Sequence, residues 1–181
     1  AARQVELQDI VKQGDRIVTK ANSFAVLQIG DRATVRVQAD SEIAFSNIND
    51  PAAIEMALDR GQVLSKVDKL AKGQSYGVRM PTALAAVRGT EFSATYMPGR
   101  NVVAVKAGKV EVTLSGQTEA KTVTATVDAG KAVVIGEALT ERPIEEQENN
   151  QIELVSIVPI VPAPQNKKKE EMLELNRTLD E

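Results

Sequence analysis

Val87-Arg88-Gly89-Thr90-Glu91-Phe92, with Val103-Ala104-Val105-Lys106-Ala107-Gly108-Lys109-Val110-Glu111-Val112 downstream, decides how the chain folds. Both runs are rich in β-branched residues and are interrupted by one glycine. β-Branched side chains are stiff and fit the pleated surface of a sheet. Glycine reaches left-handed backbone angles that other residues avoid. Both runs therefore read as strands bent at a glycine. In the first, Val87 and Phe92 flank the break. The Thr90 hydroxyl is expected to bond nearby backbone, and Arg88 to span a turn to a carboxylate or to carbonyls. All four residues read as structural, with a ligand role for Arg88 as the sharper alternative. In the second run a two-residue loop at Ala107-Gly108 places Val105 opposite Val110 and Val103 opposite Val112. Lys106, Lys109, Glu111 and Thr113 then share the wetter face. A type I turn with a glycine bulge is the alternative, because alanine dislikes positive φ.

The same grammar extends outward from about Val5 to Ile135, with short alternating runs between turn residues. It predicts strands at Val5–Lys12, Arg16–Thr19, Phe24–Ile29, Thr34–Gln38, Glu42–Phe45, Ile54–Leu58, Gln62–Val67, Gln74–Met80, Ala83–Val87, Glu91–Tyr96, Val102–Lys106, Lys109–Ser115, Thr122–Val127 and Ala132–Ile135. Asn49-Asp50-Pro51 offers a helix cap through Asp59 as an alternative to the strand there, but period two fits Met56 and Leu58. Turn glycines recur at spacings too unequal for a solenoid. The fold class is all-β: an irregular β-roll or sandwich of many short strands, with a C-terminal helical extension. Phe24, Phe45 and Phe92 are expected in the core. Tyr76 and Tyr96 are available to the surface.

Composition excludes more than it selects. Aromatics are 3% of the 181 residues, so the core must be Val, Ile, Leu and Ala. The net charge of -3, with both signs interspersed, argues against a nucleic-acid partner. Lys167-Lys168-Lys169 does not alter this, because acids follow at once. Cysteine and histidine are both absent, which removes thiolate and imidazole metal sites, cysteine nucleophiles and Ser-His-Asp machinery. The expectation is no enzyme, no cofactor and no metal. Asp31, Asp40, Glu42, Glu91, Glu111, Asp128, Glu145 and Glu146 lack the spacing of a calcium loop and read as solvated or turn-capping carboxylates. Ser23, Thr82 and Thr90 have no spacing that supplies Lys72, Lys106 or Lys131 as a base. Gly73-Gln74-Ser75-Tyr76-Gly77 lacks the Lys-Ser/Thr ending of a phosphate loop. No stretch approaches the ~20 apolar residues of a membrane helix.

After Ile135 the character changes, and three parts are expected. Residues 1–138 form the β domain, 139–165 a polar, proline-rich extension and linker, and 166–181 an amphipathic helix. Glu141–Asn150 begins a helix, and Pro159, Pro162 and Pro164 make Val158–Gln165 extended. Asn166 caps the last helix. Its Met172, Leu175 and Leu179 stripe would dock either on the chain's own β domain or on a partner.

With these motifs in order, the chain resembles the FecR domain family from about Lys12 to Val134. The residues that carry the resemblance are Gly14-Asp15-Arg16-Ile17-Val18-Thr19, Ser23 through Asp31, Arg60-Gly61-Gln62-Val63, Met80-Pro81-Thr82-Ala83 and Ala86 through Phe92. Val105 through Val112 and Val127-Asp128-Ala129-Gly130-Lys131 complete the series. The family usually has aspartate before glycine where this chain has Gly30-Asp31. The resemblance makes Arg88, Gly89, Thr90, Phe92, Gly108, Gly14 and Asp15 a structural signature. It implies an exported, non-catalytic domain, periplasmic or associated with the outer membrane or surface. In the family's namesake such a domain relays a signal from an outer-membrane receptor to a cytoplasmic sigma factor. No sigma-binding segment is legible here, so a standalone FecR-type module is expected, with a lipid anchor upstream of Ala1 as one form. It would work through a protein partner in the envelope, by contacts that include pairing at exposed strand edges. The alternative is envelope anchoring or peptidoglycan and glycan binding, since some relatives are joined to wall-binding modules. The oligomeric state is left open.

Overall fold

The structure is a computed structural model that describes residues 4, 6, 9–48, 50, 52–115 and 123–156. Its elements are β1 (Arg16–Val18), β2 (Ala25–Ile29), β3 (Ala33–Val37), β4 (Glu42–Asn47), β5 (Ala53–Val67), β6 (Ser75–Arg79) and β7 (Ala83–Val87). Then come β8 (Thr90–Met97), β9 (Arg100–Ala107), β10 (Lys109–Leu114), β11 (Thr124–Asp128), β12 (Lys131–Ile135), β13 (Leu139–Pro143) and α1 (Glu146–Ser156). The all-β class with a C-terminal helix is what the alternation required.

The strands form two layers hinged on one long strand. Sheet 1 runs β1-β4-β5-β6-β7-β10-β11, and sheet 2 runs β2-β3-β5-β8-β9-β12-β13. The first part of β5 pairs with β4 and β6; from Gly61 onward it pairs with β3 and β8. The β5–β6 pair is parallel, and the other pairs are antiparallel. One core lies between the layers. Sheet 1 contributes Ile43, Phe45, Met56, Leu58, Val110 and Val112, and sheet 2 contributes Val35, Val63, Phe92, Ala94, Val103 and Val105. Aromatics are few, and an edge-to-face pair, Tyr76 and Phe92 with centroids 6.4 Å apart, anchors its middle.

Gly61 explains why β5 can serve both sheets. Its φ is +93°, and a Cβ there would lie 2.1 Å from Ser41 Oγ. Ser41 uses that approach: its Oγ accepts the Gln62 N–H at 2.9 Å, and its own N–H donates to Thr19 Oγ1 at 3.0 Å. Gln62 Nε2 then donates to Thr95 Oγ1 at 3.1 Å. Buried hydroxyls and an amide thus satisfy one another where the sheets diverge.

Several expectations are corrected. The predicted β9–β10 hairpin does not form: Val105 is opposite Phe92 and Lys131, and Val110 is opposite Val87 and Val127. The chain changes sheet at Gly108, so both valine rows enter the same core from opposite layers. Ile54–Leu58 and Gln62–Val67 are one strand. Among the described residues of Val5–Lys12 none is in a strand. The Asp9 and Asp15 carboxylates instead accept the Glu6 and Lys12 N–H groups in tight turns. Phe24, expected in the core, is 58% exposed, while Tyr76, read as available to the surface, is fully buried with its hydroxyl on Ser65. β13 continues sheet 2 past residue 138, into the stretch read as linker, because Leu139–Pro143 folds back on β12 around Gly136.

Candidate functional site

The outer face of sheet 2 is where the chain departs from a bare two-layer scaffold. Register places one row across it: Val26, Arg36, Leu64, Ser93, Ala104, Ala132 and Arg142. The helix α1 crosses this face, packing against β9, β8, β5 and β3. Small residues beneath it let it come close, and Ile152 sits on Val102, Ala104 and Ala132 in a cluster separate from the main core.

Polar contacts fix where the helix starts. Glu148 is 2% exposed. Arg142 grips it with two bonds of 2.7 and 2.9 Å, and Arg100 adds a third at 3.2 Å. Its Oε2 also accepts the Glu145 N–H at 3.0 Å, the return half of a capping box. Burial alone would push the Glu148 carboxyl up; Arg142, the Glu145 N–H and Arg100 outweigh it and hold the group below the usual carboxylate range. Gln151 Oε1 accepts from Gln62 at 3.2 Å, and Glu153 pairs with Lys106 at 2.8 Å. The helix is therefore tied on both flanks. Reading the acidic run as solvated missed Glu148; the available signal was an acid three residues after the helix cap and six after an arginine.

Of the signature residues, Gly89, Thr90 and Gly108 meet at the corners between the sheets, whereas Gly14 and Asp15 lie apart from them, beside β4. Gly89 and Gly108 have φ of +79° and +83°, and the backbone of one rests on the other. Phe92 is in the core. Thr90 is 2% exposed, and its Oγ1 has no hydrogen-bond partner among the described residues, contrary to the expected backbone bond. Arg88 is exposed. Gly14 and Asp15 meet β4, with Gly14 N–H on the Phe45 carbonyl at 2.9 Å and Phe45 N–H on the Asp15 carbonyl at 3.1 Å. The candidate carboxylates are dispersed: Glu42 pairs with Arg16 and Arg60, Glu91 with Lys66, Asp128 with Lys109, and Glu145 with Arg142. Among the described residues no group of His, Cys, Asp or Glu is placed to hold a metal ion, and no helix is long and apolar enough to cross a membrane. Met172, Leu175 and Leu179 lie outside the described residues.

Among the described residues four strands have an open side. β1 spans three residues and bears Arg16; β13 carries Glu141 and Arg142 and ends in Pro143; β11 ends in Asp128. β2, Ala-Val-Leu-Gln-Ile, has no charge and no proline. It lacks the devices that discourage strand pairing, and exposed Phe24 and Val26 lie along it.

The FecR protein family matches residues 15–111 of this chain. Two crystal structures of a candidate anti-sigma factor from Parabacteroides distasonis ATCC 8503 are similar in fold. One is 16% identical with a TM-score of 0.62, the other 17% identical with a TM-score of 0.59. Each similarity covers 74% of this chain and 61% of that chain, so this chain spans less than two thirds of their length. No curated protein matches the chain.

Proposed function

The chain belongs to the FecR family, and from that premise we propose that it is a non-catalytic regulatory module of the cell envelope that acts through protein–protein contacts. The observation that carries this reading is the uncharged open edge of β2 beside a sheet face otherwise strapped by α1. Such an edge accepts an added strand through main-chain hydrogen bonds, with alternate side chains setting specificity. The anti-sigma factor with a similar fold supports a place in a signalling relay, with this chain as an exported, periplasmic or surface-associated component. The signature residues Arg88, Gly89, Thr90, Phe92, Gly108, Gly14 and Asp15 hold the scaffold in shape; the partner reads its edge.

Capture from an envelope extract tests this. The unmodified chain should retain a defined protein that Val26→Lys/Gln28→Lys loses at unchanged melting temperature. Equal retention by both would remove the reading.

A further inference from the structure

β2 and β3 carry one charge between them, Arg36. Register sets it opposite Val26, on the outer face of sheet 2. Its guanidinium reaches over the edge strand and lies 3.7 Å from the Phe24 ring centroid. Its Nε donates to Gln38 Oε1 at 3.2 Å, which steadies the fork. Nη1 and Nη2 have no partner among the described residues. The other arginines in strands, Arg16, Arg60, Arg79, Arg100 and Arg142, each meet a carboxylate. Arg36 meets none among the described residues, although it is half-buried. It has lost part of its hydration without gaining a counter-charge. Stacking on an aromatic ring orients such a cation, and its two terminal nitrogens match the two oxygens of a carboxylate.

The inner face of β2 is incomplete in a different way. Ala25, Leu27 and Ile29 pack on the core yet stay half-buried, because among the described residues no strand lies beyond them. A strand added at this edge sits about 4.8 Å away. Its inward side chains cover Leu27 and Ile29, and its outward ones lie beside Phe24 and Val26. An outward Asp or Glu there comes within reach of the Arg36 fork.

Given that a partner strand docks on the edge of β2, as the functional reading holds, we propose what that strand must carry: apolar residues facing inward and a carboxylate facing outward, received by Arg36 above Phe24. The same cation repels a strand with lysine at the outward position, so Arg36 selects among partners as well as binding one.

Three labelled synthetic peptides, titrated with the full chain and followed by fluorescence anisotropy, test this. They share alternating valine and threonine and differ at one central threonine-face residue: Glu, Gln or Lys. The Glu peptide should bind about tenfold more tightly than the Gln peptide, and the Lys peptide most weakly. Arg36→Gln should erase that order while the affinity of the Gln peptide and the melting temperature stay unchanged. Equal affinity of the Glu and Gln peptides for the unmodified chain, a preference that survives Arg36→Gln, or an equal loss of all three peptides in that variant would overturn the carboxylate site and leave the edge standing. The neutral Gln peptide reports on the edge alone and should not bind Val26→Lys/Gln28→Lys. Its full retention there, or binding of none of the three peptides to the unmodified chain, would remove the edge and the selection built on it.

Discussion

Gly108 rests on Gly89: a Cβ placed on Gly108 would lie 2.4 Å from the Gly89 carbonyl oxygen and 2.7 Å from Thr90 Cγ2. The two corners that carry the chain between the sheets are thus one packed unit, although eighteen residues lie between the two glycines in sequence.

Substitution at these corners should separate backbone strain from steric overlap. Gly14 also has positive φ, +88°, but nothing lies within 4 Å of its missing Cβ. Gly14→Ala should cost only left-handed strain, about 1 kcal/mol. Gly108→Ala adds collision with backbone, and Gly89→Val drives side-chain atoms toward Lys69 Cα, 3.1 Å from the first of them. Each of the two should lose about 2–5 kcal/mol. Denaturant melts of the three variants check the order; a Gly108→Ala loss no larger than that of Gly14→Ala would refute the packed corner.

Thr90 gives the opposite sign. Its hydroxyl is buried without a partner among the described residues, while its methyl packs against Gly108. Thr90→Val keeps the shape and removes an unsatisfied polar group, so stability should hold or rise by up to ~1–2 kcal/mol. A clear loss in the thermal midpoint would mean that the hydroxyl is used.

Alternation makes the strands legible, but not their neighbours. Val103, Val105, Val110 and Val112 do share one apolar core, yet their pattern is the same whether the glycine between them closes a hairpin or turns a corner. What decides is the backbone of Gly89, which local spacing does not reveal. Phe24 misleads for a related reason: its partner is Arg36 on the next strand, and on an edge strand an aromatic can lie on the outside. Glu148 resembles its acidic neighbours because its burial depends on Arg100, far away in sequence, as well as on Arg142. The glycines are legible as breaks between strands, not as corners between sheets, and the helix strap across sheet 2 is not legible, since it depends on tertiary packing of small residues such as Ala104 and Ala132.

The Glu148 clamp makes docking of α1 pH-dependent. A carboxyl whose folded pKa is lowered stabilises the fold above its ordinary titration range, and that contribution is lost as pH falls through the lowered value. Hydrogen exchange in α1 should therefore accelerate in acid before exchange in β5 or β8, and Glu148→Gln should flatten that pH dependence. At neutral pH Arg142→Ala should cost about 2 kcal/mol. This is less than for a sealed pair, since Arg100 remains and Arg142 keeps 25% of its side chain exposed.

The decisive measurement is a paired proline scan of β2. Consecutive residues of a strand point their N–H groups to opposite sides, so one of Ala25→Pro and Val26→Pro breaks the ladder to β3 and the other touches only the open edge. The melting temperature identifies which is which. The variant that melts like the unmodified chain should fail to bind the envelope partner. If that well-folded variant binds as strongly as the unmodified chain, the edge of β2 is not where this protein is read.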